Sequence, residues 1–125
     1  MKQGLCFVLC SLMVAVSGVS FGQNWLWAHS ATGSSVNEGK SIATDASGNV
    51  YITGNFTNTI IFGTYTLTTG GIYVVKYDPA GNVVWANQAG IINDEAYSVC
   101  TDGSGNVYVT GYFIGSTITF GSVTL

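Results

Sequence analysis

The chain has 125 residues and a formal net charge of −3, and only 7% of its residues are charged. After residue 22 the basic residues are Lys40 and Lys76, with no arginine, against six acidic residues. Since binding to a phosphate backbone needs clustered lysine and arginine, we expect no nucleic-acid partner. The 17 glycines, the single proline and the 13% aromatic content favour an all-β chain of short strands and tight turns.

The first 22 residues have the three parts of a secretory signal peptide. Lys2 supplies a positive charge, Leu5 to Val19 form an apolar segment, and Ser20-Phe21-Gly22 places small residues before a cleavage site at Gln23. A membrane span needs about 20 apolar residues, so this segment is too short to be one. We therefore predict export to the cell surface or the exterior, and no membrane span after cleavage.

Two segments of the chain repeat one pattern. Residues 41–56 read SIATDASGNVYITGNF and residues 98–113 read SVCTDGSGNVYVTGYF, and the two are identical at 11 of 16 positions. A period near 57 residues indicates an array of similar structural units. The match extends outward, pairing Trp27-Ala28 with Trp85-Ala86, Glu38 with Glu95, and Phe62-Gly63 with Phe120-Gly121.

Within the first repeat the residues predict short strands separated by turns. A recurring Asp-x-x-Gly-Asn sequence, at Asp45, Asp78 and Asp102, predicts type I hairpin turns with a G1 bulge. The aspartate accepts from the backbone of its own turn, and glycine tolerates a positive φ. We expect no helix after Gln23. The predicted strands are Ser41 to Thr44, Val50 to Phe56, an extra ribbon over Ile60 to Thr68, Ile72 to Tyr77, and Val83 to Asn87.

The second strand alternates between two uncharged faces. Val50, Ile52 and Phe56 share one face with Gly54, and the residues between them share the other. Because neither face is charged, we expect neighbouring sheets to cover both. Glycine inside a strand indicates that a neighbouring sheet or backbone comes close, and we expect this at Gly54 and at its counterpart Gly111.

The order of these motifs resembles that of a known family. Trp-Ala, then Asp-x-Ser-Gly-Asn-Val-Tyr-x-Thr-Gly-x-Phe, then Phe-Gly-x-x-x-Leu and Val-Lys-Tyr-Asp-x-x-Gly-Asn-Val-Val-Trp are similar to the bacterial SBBP-type β-propeller repeats. The resemblance implies propeller blades, each an antiparallel four-stranded sheet, in an exported bacterial protein. It implies no particular activity. Since a ring needs at least four blades, we expect a fragment of about one and a half to two blades.

The resemblance and the repeat together divide the chain into four parts. We predict the signal peptide at 1–22, an N-terminal strand at 23–40, a first propeller repeat at 41–97 and a second, truncated repeat at 98–125. The segment Asn24 to Ala28 matches the closing strand of a repeat, Val83 to Ala86. In a ring, such a strand would pair with the last blade and join the two ends of the chain.

No residue set in the sequence predicts a catalytic, cofactor-binding or metal site. His29 is the single histidine and its counterpart is Asn87, so we expect a structural or surface role. Cys100 stands at the position of Ala43, a small strand residue. This predicts a buried structural cysteine rather than a nucleophile.

Three further features have both a functional and a structural interpretation. Asp94-Glu95 could act as paired glycosidase carboxylates, but adjacent strand residues point apart, and we favour a solvated loop. Each Asp-x-x-Gly-Asn loop has one carboxylate, which is too few for a calcium loop. Trp25, Trp27 and Trp85 could stack on sugars, although recurring tryptophan favours packing between blades.

These observations favour a non-catalytic structural or interaction module of a secreted or cell-surface bacterial β-propeller protein. Its partners would be the remaining blades of the same chain and protein or carbohydrate ligands at the cell surface. Two alternatives stay open. A propeller enzyme of glycosidase or lyase type could carry its catalytic residues in other blades. A calcium-dependent adhesion module would need more acidic residues in the loops.

Overall fold

A computed structural model describes residues 24–125, and the predicted signal peptide at 1–22 lies outside them. The described residues form strands and turns without a helix, which confirms the all-β prediction for this part of the chain. Accordingly, residues 24–125 contain no helical segment that could cross a membrane. The strands are β1 (Thr32–Gly33), β2 (Asn37–Thr44), β3 (Val50–Phe56), β4 (Ile60–Phe62), β5 (Tyr65–Leu67), β6 (Gly71–Tyr77), β7 (Val83–Ala89), β8 (Glu95–Thr101), β9 (Val107–Tyr112), β10 (Thr119–Phe120) and β11 (Val123–Thr124).

Four strands of the first repeat form one antiparallel sheet in the order β2-β3-β6-β7, here called the first sheet. Strands β10 and β11 extend it beyond β7, where Phe120 lies opposite Ala89. The second repeat contributes the hairpin β8-β9, called the second hairpin, and β4-β5 form a ribbon that pairs with β1. β2 is longer than predicted, because a bulge between Gly39 and Ser41 lets its pairing with β3 continue back to Asn37.

All three predicted turns close hairpins. The backbone N–H of Gly48 donates to the Asp45 carbonyl over 3.0 Å, and the turns at Asp78 and Asp102 make the same bond over 3.0 and 3.1 Å. The fourth residues Gly48, Gly81 and Gly105 have φ angles of 80°, 89° and 82°. This geometry confirms the type I turn with a G1 bulge.

One face of the first sheet packs against the repeat's own ribbon. Trp27 closes the edge of this cluster: its ring lies 5.5 Å from that of Tyr77, and its Nε1 donates to the Pro79 carbonyl over 3.2 Å. A neighbouring sheet was expected here. The ribbon covers the face instead, because its buried apolar side chains pack against the strands that precede and follow it. The buried cluster consists of Phe56, Ile60, Phe62, Leu67, Tyr73, Val75, Tyr77 and Ala86.

The other face of the first sheet packs against the second hairpin. Tyr51 and Thr53 of β3 are 1% and 0% exposed beneath it. A second apolar cluster lies on this side, formed by Ile72, Ala89, Ala96 and Ile118, with Val109 packed against it. Both uncharged faces of β3 are therefore covered, as the alternation predicted.

The two strand glycines are required by bulges in the paired strands. A Cβ at Gly54 would overlap the carbonyl oxygen of Glu38, and one at Gly111 would overlap that of Glu95. The close backbone approach predicted at both positions is confirmed. Beside Gly54, the Tyr73 hydroxyl also donates to the Glu38 carbonyl over 3.1 Å. Burial raises the pKa of Tyr73 to about 12.

The prediction of a buried Cys100 is wrong: the thiol is free and exposed. Along β8 the side chains alternate, and Val99 points toward the first sheet with 4% exposure. Cys100, opposite Tyr108, therefore lies on the far face of the second hairpin. Nothing among residues 24–125 covers that face, where Tyr108 is 53% exposed.

Candidate interaction surface between repeats

Three polar contacts hold the second hairpin against the first sheet. The backbone N–H of Ala96 donates to Asn55 Oδ1 over 2.8 Å, and that of Val99 donates to Ser41 Oγ over 3.2 Å. Thr101 Oγ1 donates to the Thr44 carbonyl over 2.8 Å. Each contact thus joins a side chain of one repeat to a backbone group of the other, which sets the register between the two units.

Charged residues lie close to the same contact. Lys40 Nζ pairs with Glu38 Oε2 at 2.6 Å on β2. The hydrogen bond from Glu38 is the largest cause of a raised Lys40 pKa, and the charges of Glu95 and Tyr97 on β8 add to it. Because the pair is solvent-exposed, its contribution to stability is small.

An open groove of about 420 Å³ is lined by residues of the first sheet, of β9 and of β10. On one side it is lined by Val74 and Trp85 of the first sheet, and on the other by Val107 and Val109 of β9. Phe120 of β10 closes one end. Apart from Asn87 and Gln88 the lining is apolar, so the groove suits an apolar protein segment rather than a charged small molecule.

The three turn aspartates use their carboxylates within their own loops. Asp45 Oδ1 accepts from the backbone N–H groups of Ser47 and Asn49 over 2.9 and 3.0 Å. Its Oδ2 accepts from the Asn49 side chain and the Tyr51 hydroxyl over 2.8 and 2.9 Å. The Asn49 side chain is the largest cause that lowers the pKa of Asp45 to about 2.

The other two loops show how the tyrosine contributes. Asp102 accepts in the same way, from the Asn106 side chain over 2.7 Å and from the Tyr108 hydroxyl over 3.1 Å, and its pKa is also lowered to about 2, first by Asn106. The Asp78 loop has Val84 at the tyrosine position, and there Asn82 is the main cause of a lowered pKa. Turn chemistry accounts for every carboxylate oxygen in the loops.

Asp94 is not in a solvated loop as expected. The side chain is 2% exposed, and its two oxygens accept from the backbone N–H groups of Ile91 and Ile114 over 2.8 and 3.0 Å. It thereby joins the segment before β8 to the segment after β9. Both carboxylate oxygens of Asp94 are therefore engaged by backbone N–H groups.

The remaining sequence candidates take separate structural positions. His29 lies 5.5 Å from the Trp27 ring and 6.1 Å from the Tyr77 ring, in an aromatic cluster. Trp85 packs 6.1 Å from Tyr51. Trp25 is 93% exposed, so the expected packing role does not hold for it. Within residues 24–125, no group of three or more His, Cys, Asp or Glu side chains is arranged to hold a metal ion.

Sequence reasoning missed two of the three side chains that make the contact between repeats, Ser41 and Asn55. Ser41 recurs as Ser98 in the second repeat, so its identity was a usable signal. Asn55 is replaced by Tyr112, and this difference within an otherwise matching strand was the available clue. Neither signal reveals the partner, because Asn55 binds a backbone N–H that is 41 residues away and Ser41 binds one that is 58 residues away.

Comparison with known proteins supports the repeat assignment. Residues 30–62 match the family model described as SBBP, a beta-propeller repeat. The chain is also 33% identical, over 86 residues, to an uncharacterized WD repeat-containing protein of Acanthamoeba polyphaga mimivirus. That match covers 58% of this chain and 6% of the viral protein. No solved structure matches the chain.

The sheet geometry and the family match agree on the fold class. The fold is all-β, built from antiparallel sheets of β-propeller blades, with one complete four-stranded blade in the first sheet. The second hairpin provides the first two strands of the following blade.

Proposed function

We propose that the chain is a non-catalytic structural or interaction module of an exported bacterial β-propeller protein. The contact between its two repeats carries the proposal: Asn55, Ser41 and Thr44 of one blade bind Ala96, Val99 and Thr101 along β8 of the next. The contacts of Ser41 and Thr44 can be repeated from blade to blade, because Ser98 and Thr101 stand at these positions in the second repeat, whereas Asn55 is replaced by Tyr112. Propeller and WD repeats are also what the matching proteins contain.

The N-terminal strand supports a closed ring. β1 lies against β4 with Thr32 opposite Ile61, and β7 lies against β10 with Ala89 opposite Phe120. Trp27 therefore precedes the strand that pairs with the first ribbon, and its counterpart Trp85 lies in the strand that pairs with the second ribbon. In a closed ring, residues 24–33 would take the place of a closing strand from a preceding blade. The other blades of the same chain would be its main partners.

Export can be tested with a reporter that is active only outside the cytoplasm. Residues 1–40 fused to a signal-less alkaline phosphatase should give phosphatase activity in a bacterial host, and residues 24–40 fused in the same way should not. Equal activity of the two fusions would overturn the export part of the proposal.

The non-catalytic role can be tested on the intact parent protein. We expect His29→Ala and Cys100→Ala to leave any turnover of that protein unchanged, since both side chains lie outside the contact between repeats. Asn55→Ala should instead lower the melting temperature and weaken binding to protein or carbohydrate ligands immobilised from the cell surface. Loss of a turnover in the His29 or Cys100 variant would favour the propeller-enzyme alternative.

A further inference from the structure

A small open pocket of about 250 Å³ lies within the first repeat and is here called the Tyr77 pocket. Four segments of the chain meet there. Ser30 precedes β1, Thr64 lies in the turn of the ribbon, Tyr77 ends β6 and Asn82 precedes β7. These residues belong to the complete blade or to the segment that pairs with its ribbon, so the pocket does not involve the second repeat.

Tyr77 has a buried ring and a hydroxyl without a partner. The residue is 5% exposed, and the hydroxyl makes no hydrogen bond within the described part of the chain. The two other buried tyrosines differ, since the Tyr51 hydroxyl donates to a carboxylate and the Tyr73 hydroxyl to a backbone carbonyl. A buried tyrosine hydroxyl usually finds such a partner. The Tyr77 hydroxyl is not sealed in the core, and the pocket that Tyr77 lines is where a ligand can reach it.

The other polar groups of the pocket are neutral and available. Asn82 donates through Nδ2 to Asp78 Oδ2 over 2.9 Å, which leaves its Oδ1 free to accept. Within the part of the chain that the structure describes, the hydroxyls of Ser30 and Thr64 have no partner either. The lining contains no aspartate, glutamate, lysine or arginine. Hydroxyl groups both donate and accept, so this set matches a ligand that carries several neutral hydroxyl groups.

The size and the wall of the pocket suit a small, rigidly held ligand. Pockets for drug-sized ligands measure about 300–1,000 Å³, so this one has room for about one sugar unit. Trp27 and His29 pack against the ring of Tyr77, with ring centroids 5.5 and 6.1 Å away. This packing holds the Tyr77 hydroxyl in place before a ligand arrives, which lowers the cost of ordering the site.

We propose that the Tyr77 pocket binds one neutral sugar unit, the terminal unit of a glycan. The groups that bind the sugar are the hydroxyls of Tyr77, Ser30 and Thr64 and the amide oxygen of Asn82. The inference rests on the proposed role as an interaction module and gives that role a ligand class and a site. The site is separate from the contact between repeats, because Tyr77 belongs to the cluster on the ribbon side of the first sheet.

The test is saturation-transfer NMR of the full chain with the methyl glycosides of D-glucose, D-galactose and D-mannose. We expect saturable binding of at least one of them. The corresponding uronate should bind at least fivefold more weakly, because the pocket offers no cation to a carboxylate that loses its water. Hydrogen exchange at saturating sugar should show protection at Ser30, Thr64 and Asn82 and none in β9.

Two tyrosine variants separate binding from stability. Tyr77→Phe should weaken sugar binding at least fivefold and leave the melting temperature unchanged, since the hydroxyl has no partner in the described chain. Tyr73→Phe is the matched control on the same strand: it removes the bond to the Glu38 carbonyl. It should lower the melting temperature and change the affinity less than twofold. Thr64→Val, at an exposed position of the ribbon turn, should weaken binding at least threefold.

Four outcomes would overturn the proposal. They are no saturable binding of any of the three glycosides, equal or tighter binding of the uronate, protection away from the pocket, and unchanged affinity in Tyr77→Phe. A melting temperature that falls as far in Tyr77→Phe as in Tyr73→Phe would also overturn it, because the hydroxyl would then serve the fold. None of these outcomes bears on export or turnover, so failure here is distinguishable from failure of the proposed function.

Discussion

At the scale of single residues, several polar side chains of this chain form hydrogen bonds with its own backbone. The turn aspartates accept from their own loops, Asp94 joins two segments around the second hairpin, and Asn55 and Ser41 join the repeats. Such bonds are worth little when made and cost more when one partner is removed. Substitutions at these positions should therefore affect stability before they affect any chemistry.

Gly54 and Gly111 should not tolerate a side chain. We expect Gly54→Ala or Gly111→Ala to lower the free energy of unfolding by about 1–3 kcal/mol, because the new Cβ would overlap a backbone carbonyl that cannot move away. Chemical denaturation measures the change. Gly103→Ala is the matched control, since no atom lies within 4 Å of that position, and an equal loss there would contradict the explanation.

Asp45 should make stability depend on acid pH. Its pKa falls from 3.8 to about 2 on folding, through hydrogen bonds led by the Asn49 side chain. A lowered carboxylate pKa stabilises the folded state above the unfolded pKa, and this contribution is lost as the pH falls from about 4 to about 2.

Thermal melts at several pH values would show this effect. We expect Asp45→Asn to flatten the decline of the melting temperature between pH 4 and pH 2 relative to the unaltered chain. Tyr51→Phe removes one of the hydrogen bonds and should flatten the decline less. An unchanged slope in Asp45→Asn would show that the turn carboxylate does not govern acid stability.

Cys100 should behave as a surface thiol. Because its side chain is exposed, Cys100 should react rapidly with a thiol-specific reagent in the folded chain. We expect the Cys100→Ala variant to have one rapidly reacting thiol fewer. The melting temperature should change little, since a surface substitution away from packed groups usually changes the free energy of unfolding by no more than about 0.5 kcal/mol. A large loss of stability would restore the buried interpretation.

At the scale of elements, the ribbon is the part of the repeat that distinguishes this blade. It lengthens the period to 57 residues and covers the sheet face that would otherwise meet solvent or another blade. Its anchor is Phe62, which lies 4.9 Å from the ring of Tyr73. The equivalent ribbon of the second repeat extends the first sheet beyond β7.

The two ribbon phenylalanines should differ in their contribution to stability. Phe62→Ala should cost about 3–5 kcal/mol, as for a buried aromatic residue, and Phe120→Ala clearly less, because its side chain is 42% exposed. Denaturant midpoints of the two variants give the comparison within one chain. Equal costs would mean that the ribbon does not anchor the first sheet through Phe62.

At the scale of the whole molecule, the apolar surface that residues 24–125 leave open is large. Leu26 is 89% exposed, Ile114 57% and Leu125 66%, and β9 has a free edge. Exposed apolar patches beside unpaired strand edges favour association.

We therefore expect residues 23–125, expressed alone, to be marginally stable and to self-associate, as judged by size-exclusion chromatography over a range of concentrations. Thr110→Lys, which places a charge on the edge strand, should shift the profile toward the monomer. A sharp monomer peak with a cooperative melt for the unaltered polypeptide would show that two repeats form a self-sufficient unit.

The sequence by itself determined the local structure. The three turns, the bounds of β3 and the close approach at Gly54 followed from residues within a few positions of one another. Turn type depends on φ and on hydrogen bonds inside the loop, and strand faces depend on a period of two. The alignment of the two repeats was enough to predict a blade array.

The tertiary structure decided which surface each element covers. Alternation indicated that both faces of β3 are buried. Only the tertiary structure shows that the ribbon covers one face and the second hairpin the other, through contacts between residues that are distant in sequence. The same reason explains the errors at Cys100 and Asp94: one lies on a face that no other element covers, and the other accepts from an amide 20 residues away. Burial is a property of the assembled sheets, and a repeat pattern states only which positions are equivalent.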